Sequence, residues 1–418
     1  MASLPVYSVF SAALTLLGCA GASQPGAQPA KSETKESAAP SAGSFDFDAT
    51  YKREASGLSE RALQGSKAGW SAKVPASADP KLAQAENSEL VEIPIGSKAP
   101  VRCQVFSEQL DAGGTLHGVL KESAARVEYR SIAPSGVRLL GGVPTTFLET
   151  VYLTETEGGK GAGGLKLAIQ VREQESLLCL HDELGYRQTF KDVSGAFFSS
   201  FKPRSAPPNA ATYSDITKAK IGDTDVGFGW VRVTPGEKPG ERSYSDSNTT
   251  LIPTSAKEVS FRDNYEVFSY DAKNVLQAAT WVEGSGGEIT MKIGIHRQAD
   301  GSYAMQGELG GKPVSGELKA PNGIATSLDI ATRLKKKLKT GAPFELKLPE
   351  YHPSLEPKAL IDVVYRHQKG DPARQVSVTM ANGTMIEDVD DNGMAKSFSF
   401  PVGKSQFVVE RLKSEGHL

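Results

Sequence analysis

The sequence has no surplus of positive charge. Its 418 residues carry 47 Lys plus Arg against 49 Asp plus Glu, a formal net charge of -2, so the basic footprint of a nucleic-acid binder is missing. After the apolar stretch at residues 4–17, no run approaches the about 20 residues a membrane-spanning helix needs. Histidine is sparse, and His117, His296, His352, His367 and His417 show no metal-ligand spacing. Gly284-Ser285-Gly286-Gly287 lacks the glycine two places before the serine that a serine-nucleophile elbow requires. No dinucleotide fingerprint occurs, and the glycine cluster Gly158-Gly159-Lys160-Gly161-Ala162-Gly163-Gly164 lacks the Lys-Ser/Thr pair and the following helix of a phosphate loop. A flexible hairpin tip is the better reading of that cluster, and no cofactor is expected.

What the sequence does have begins with Leu4 to Leu17, an apolar core of signal-peptide length, followed by Leu16-Leu17-Gly18-Cys19. These four residues resemble a bacterial lipobox. The resemblance implies cleavage before Cys19, a diacylglycerol on its thiol and an acyl chain on its new amino group, hence a stable membrane anchor. It departs from the usual signal in that no Lys or Arg lies between Met1 and Cys19. Ala20 stands where the inner-membrane retention signal of enteric bacteria has Asp, so the resemblance favours the outer membrane. With Cys19 lipidated, Cys103 and Cys179 remain as an even pair in a compartment that permits disulfides, bonded or as two buried thiols.

With 39% hydrophobic and 23% charged residues, the rest has the composition of a globular protein large enough for two cores. The expected fold class is α+β, mostly antiparallel β. The expected order is a signal peptide (1–18), a disordered tether (19–44), an α+β domain (45–202), a linker (203–212) and an antiparallel β domain with one long helix (213–418). About 25 tether residues reach about 25 to 30 Å. A short helix fits near Glu54 to Lys67, and Asp79-Pro80 reads as the start of another, to about Ser88. Leu90 to Ile95, Val101 to Phe106, Phe147 to Thr156, Leu165 to Arg172 and Leu177 to Leu180 read as strands, while Leu110 to Ala125 is helix or loop because Gly113, Gly114 and Gly118 weaken it. Tyr186, Phe190, Val193, Phe197 and Phe201 place an apolar stripe on one helix face, which packs on a sheet.

In the second domain, Ile289 to His296 alternates apolar and polar residues, and Asp300-Gly301 turns the chain into Tyr303 to Leu309. One helix interrupts the strands from about Thr326 to Lys339, with Leu328, Ala331, Leu334 and Leu338 as its stripe. Its basic end, Arg333, Lys335, Lys336, Lys337 and Lys339, complements the helix dipole and is a candidate contact for anionic headgroups or an acidic partner. An antiparallel sheet curled around one long helix, over residues 255 to 412, resembles the half-barrel of periplasmic lipoprotein carriers. That resemblance implies an apolar cavity for acyl chains between sheet and helix.

Two constellations carry candidate chemistry. Asp388, Asp390, Asn392 and Gly393 fit the first half of a calcium loop, but Ser399 replaces the clamping Glu, and Asn392-Gly393 is a hairpin turn in its own right. Turn is the favoured reading. Cys179 and His181 on one strand would share a face about 7 Å apart, too far for a thiolate-forming hydrogen bond, with Asp182 pointing away. The expectation is a lipid-anchored cell-envelope protein that binds or associates, not an enzyme. A carrier of a hydrophobic ligand or lipoprotein-trafficking factor is the first alternative, and a cysteine-dependent hydrolase the second.

Overall fold

The computed structural model describes residues 50–65, 69–85, 87–156, 159–203, 210–321, 323–381 and 383–418. The expected signal peptide, Cys19 and the tether lie outside the described residues, as does most of the linker.

The first half of the chain builds a sheet of eight strands. Its order is β3 (Lys81–Gln84), β4 (Ser88–Ile93), β5 (Val101–Phe106), β10 (Ser176–Asp182), β9 (Leu165–Val171), β7 (Val143–Thr156) and β6 (Glu128–Leu140), with β8 (Gly159–Gly163) added along β7. A separate ribbon pairs β1 (Glu60–Gln64) with β2 (Ser71–Pro75). The glycine cluster, expected as a flexible hairpin tip, is for the most part a strand: β8 pairs with β7 from Gly159 opposite Thr156 to Gly163 opposite Tyr152. Two helices cover the sheet, α1 (Ala112–Ala124) and α2 (Arg187–Ser200). The stripe on α2 buries Phe190, Val193 and Phe197 against Trp70, Val91 and Leu177.

Two expected helices are corrected here. Residues 60–64 are a strand, and the Glu54 before them is an acceptor for α2: its carboxylate takes the N–H groups of Gln188 at 2.9 Å and Thr189 at 2.7 Å. The backbone N–H groups of a helix's first turn have no intrahelical partner, so this distant acid supplies one. The segment after Pro80 is the edge strand β3, paired with β4 rather than coiled on itself.

The second half forms one sheet of fourteen strands. In order these are β18 (Lys312–Leu318), β17 (Tyr303–Leu309), β16 (Glu288–Arg297), β15 (Leu276–Ser285), β14 (Glu258–Tyr270), β13 (Arg242–Ser255), β12 (Thr224–Pro235), β11 (Tyr213–Ile221), β24 (Ser405–Gly416), β23 (Ala395–Val402), β22 (Gly383–Val389), β21 (Gln375–Met380), β20 (Ile361–His367) and β19 (Phe344–Glu350). All neighbours are antiparallel. The sheet therefore starts at residue 213, earlier than the 255 expected from the carrier resemblance.

The edge strands β18 and β19 do not pair, and helix α3 (Ser327–Leu338) connects them. The sheet curls so that its edges approach. Tyr351, just past β19, packs edge-on against Trp281 of β15 at 5.0 Å between centroids, and the Ala325 N–H donates to the Pro349 carbonyl at 2.8 Å. Helix α3 fills the curl. Leu328 and Ala331 join the core of Tyr244, Phe268 and Trp281, while Leu334 and Leu338 join that of Val363, Val376 and Phe398.

The two sheets share a core. Leu116 and Leu120 of α1 and Ile132 and Val137 of β6 pack with Phe228, Leu251 and Phe261 from the outer face of the large sheet. At its edge, Asp263 of β14 accepts the N–H groups of Gly113 at 3.0 Å and Gly114 at 3.1 Å. A Cβ at Gly113 would run into that carboxylate. The glycines that weaken α1 by propensity are thus where a remote acid must come close.

Candidate functional site

The strand period of two decides what the curl encloses. The tripeptide Tyr-Ser-Asp occurs twice, as Tyr213-Ser214-Asp215 on β11 and Tyr244-Ser245-Asp246 on β13. On a strand the first and third residues share a face, and both pairs turn inward. Tyr213 donates its hydroxyl to Asp215 at 3.0 Å, and Tyr244 donates to Asp246 at 3.2 Å. Val231 of β12 pairs with both aspartates, which puts them two strands, about 9 to 10 Å, apart. Arg411 of β24 donates to Asp215 at 2.8 Å and to Asp390 at 2.8 Å.

The facing wall has its own acids. Glu350 accepts the Tyr365 hydroxyl at 2.9 Å and lies 3.0 Å from His352 Nε2. Glu387 of β22 is buried beside them. Burial pushes Asp246 up to about 7, against hydrogen bonds from Tyr244 and Asn248. Burial, with the Glu350 charge adding to it, pushes Glu387 up to about 8. Asp215 is also raised by burial, with Arg411 opposing.

Asp215, Asp246 and Glu387 all line a cavity of about 100 Å³ between α3 and the sheet. This is where the half-barrel resemblance implies an apolar hold for acyl chains. The stripe of α3 occupies most of that space, and what remains is smaller than the about 300 to 1,000 Å³ of ordinary ligand pockets and partly acid-walled.

A larger opening lies where β18 and β19 fail to meet. This seam groove of about 890 Å³ is bounded by the β14–β15 and β16–β17 turns, the segment leading into α3, and β19. Arg297, Lys319, Arg333 and Lys347 face it together with Asp300 and Asp329. Burial raises the Asp329 carboxyl, while the Thr326 hydroxyl, which donates to it at 2.9 Å, opposes. Leu276, Tyr303 and Ile324 supply apolar floor, so the groove suits a ligand with polar and charged groups on a modest apolar body.

No protein-family model matches the chain, and no curated protein matches it. Among solved structures it is similar to a β-barrel-like protein of the domain of unknown function DUF1849 from Brucella abortus, with a TM-score of 0.37 and 10% identity over 49% of this chain and 97% of that one. A Bacteroides thetaiotaomicron protein gives 0.23 and 13%, over 43% and 56%. A DUF1089 family protein from Pseudomonas aeruginosa gives 0.20 and 15%, over 43% and 87%. Likenesses this slight carry nothing about activity.

The residues singled out in the sequence fall elsewhere. Cys103 and Cys179 face each other on β5 and β10 and form a disulfide, with 4.0 Å between Cα atoms. The hydrolase alternative thereby loses its nucleophile, since a bonded sulfur has no thiolate. His181 is buried, with Nε2 at 3.3 Å from Ser97 Oγ and 3.2 Å from the Ala99 carbonyl, whereas Asp182 is exposed and accepts from Tyr152.

At the stretch where a turn was favoured over a calcium loop, the chain makes a turn from Asp390 to Met394. Asp390 Oδ1 accepts the N–H groups of Asn392 at 2.8 Å and Met394 at 2.9 Å, and Asp388 accepts from Gln375 and Ser397. Their lone pairs are used within the protein, and no metal-type group of acids, histidines or cysteines occurs among the described residues. At the end of α3, Arg333, Lys336, Lys337 and Lys339 are exposed and Lys335 is half-buried.

Asp215, Asp246, Glu387, Arg411 and the tyrosines were not picked out from sequence. The repeated Tyr-Ser-Asp was the available signal: an acid in register with a large aromatic on an alternating strand.

Proposed function

We propose that the chain is a lipid-anchored cell-envelope protein, probing the outer membrane's periplasmic surroundings by binding a polar ligand in the seam groove. The observation that carries this reading is the groove: an opening of about 890 Å³, walled by charges of both signs, where the edges of the large sheet stay apart. Anchoring is supported by Leu16-Leu17-Gly18-Cys19 and the polar residues after it. The exposed Lys336, Lys337 and Lys339 offer anionic headgroups or an acidic partner a surface. A hydrophobic cargo, as in carriers or lipoprotein-trafficking factors, is less favoured because Arg297, Asp300, Glu317, Lys319, Asp329, Arg333 and Lys347 all line the groove.

Native mass spectrometry of residues 45–418 from a bacterial periplasm tests the ligand. A reproducible added mass that is lost on Arg333→Glu supports the groove, and an added mass that dissociates as a lipid and survives that change returns the cargo to the carrier class. A bare protein under those conditions counts against tight binding. Fractionation tests the anchor: the wild type should sediment with membranes and Cys19→Ala should not.

A further inference from the structure

Three buried carboxylate oxygens have no hydrogen-bond partner, and their residues line one cavity: Asp215 Oδ1, Asp246 Oδ1 and Glu387 Oε1. The residues are 2%, 7% and 3% exposed. Buried polar atoms are nearly always paired, and each unpaired acceptor costs about 1 to 3 kcal/mol, so three in one place point to something that completes them.

The charge around the cavity is one-sided. Arg411 is shared between Asp215 and Asp390. Asp246 pairs across the sheet with Glu266, and Glu387 faces Glu350, which His352 and Tyr365 approach. Lys396, exposed at the rim, is the one basic side chain in the lining among the described residues. Because that exposed residue belongs to the lining, the cavity reaches solvent there.

Shape narrows the choice of ligand. Asp246 on β13 and Glu387 on β22 are five strand steps apart in the sheet yet line the same space, so they face each other across the curl. The rest of the lining mixes apolar Val231, Leu334, Met394 and Val409 with the hydroxyls of Thr217, Ser327 and Ser397. At about 100 Å³ the space is several times the roughly 10 to 15 Å³ that one water needs. A single metal ion does not fit this spread of acids, and no metal-type group occurs among the described residues.

We propose that this cavity binds a short aliphatic diamine, one ammonium group on Asp246, the other on Glu387, and the methylenes against Leu334 and Met394. The site is separate from the seam groove, and failure here leaves the groove reading untouched. Binding an ammonium group favours the ionised carboxylates. Since burial raises both acids, to about 7 for Asp246 and about 8 for Glu387, both are part protonated at pH 7 and binding expels protons to the buffer.

Isothermal titration calorimetry of the full-length protein in detergent, at pH 7 with 1,4-diaminobutane, 1-aminobutane and magnesium as probes, tests this. The expected result is saturable diamine binding at least tenfold tighter than that of the monoamine, no magnesium binding, and a heat that varies with the buffer's ionisation enthalpy because protons are released. Asp246→Asn and Glu387→Gln, both near-isosteric, should each weaken binding at least tenfold. No saturable diamine heat would mean a merely hydrated cavity and overturn the proposal, as would equal affinity for the monoamine. Binding without proton release would also overturn it, since surface carboxylates, already ionised at pH 7, release none; this readout needs no variant to fold.

Discussion

Asp263 accepts the backbone N–H of Gly113 at 3.0 Å across 150 positions of the chain. One carboxylate therefore caps helix α1 from the opposite sheet, and Thr249 donates to the same oxygen at 2.6 Å. Asp263→Ala should cost about 1 to 3 kcal/mol, the range for losing a helix cap and leaving donors unmet. Gly113→Ala should cost a similar amount for a different reason, because its Cβ displaces the carboxylate. Urea unfolding checks both, and the double variant should cost less than the sum, since each removes the same contact.

Stability should fall with rising pH through the interior acids. In the folded state the carboxyls of Asp246 and Glu387 titrate near 7 and 8, above their ordinary values of 3.8 and 4.5. The folded protein thus holds protons that the unfolded chain gives up, so their stabilising effect is complete below about pH 4 and is lost progressively up to about pH 8. Each unit of difference corresponds to about 1.4 kcal/mol as an upper bound. Urea midpoints at pH 5 and pH 8 should differ less in Asp246→Asn and Glu387→Gln than in the wild type.

His181 works in the other direction. Burial, with the Lys166 charge adding to it, holds the ring down to about 4, so its contribution is present above the ordinary 6.5 and is lost as pH falls toward 4. His181→Gln should flatten the acid limb of the stability curve and leave its slope above pH 7 unchanged.

Reducing the Cys103–Cys179 bond, which spans 76 positions, should lower stability by about 2 to 5 kcal/mol. Thermal unfolding with and without reductant measures this. Thiol titration of the unfolded, unreduced protein should find neither cysteine free.

Gly393 has φ 86° in the Asp390–Met394 turn, and a Cβ there would meet the Ala331 carbonyl of α3. Gly393→Ala should therefore destabilise the packing of α3 by about 1 to 3 kcal/mol, read as a lower urea midpoint.

The hairpins of the large sheet and the stripes of α2 and α3 were legible because their apolar positions repeat at the strand or helix period. Strand β6 was not, since its pairing with β7 shifts register at Tyr129/Ser131 and again at Pro134/Gly136, which breaks the alternation. Strand β1 is largely exposed and carries no alternating pattern at all. The interior acids followed the strand period, but an acid on such a strand normally marks the solvent face. Only the curl of the sheet turns Asp215, Asp246 and Glu387 inward, and that depends on β11 meeting β24.

That meeting also sets an order of assembly. Every other neighbouring pair in the fourteen-stranded sheet comes from strands consecutive in sequence, whereas β11 waits for Ser405–Gly416. Until then the chain holds two separate meanders, each with an uncovered edge and with α3 between them. Bringing such distant strands together adds only about 0.6 kcal/mol per doubling of loop length, so the delay is one of arrival rather than of stability. Loss of the last dozen strand residues would take Phe407 and Val409 from the core and leave two stacks of hairpins with no strand pairing to join them, in contact through α3 and through Tyr351 on Trp281.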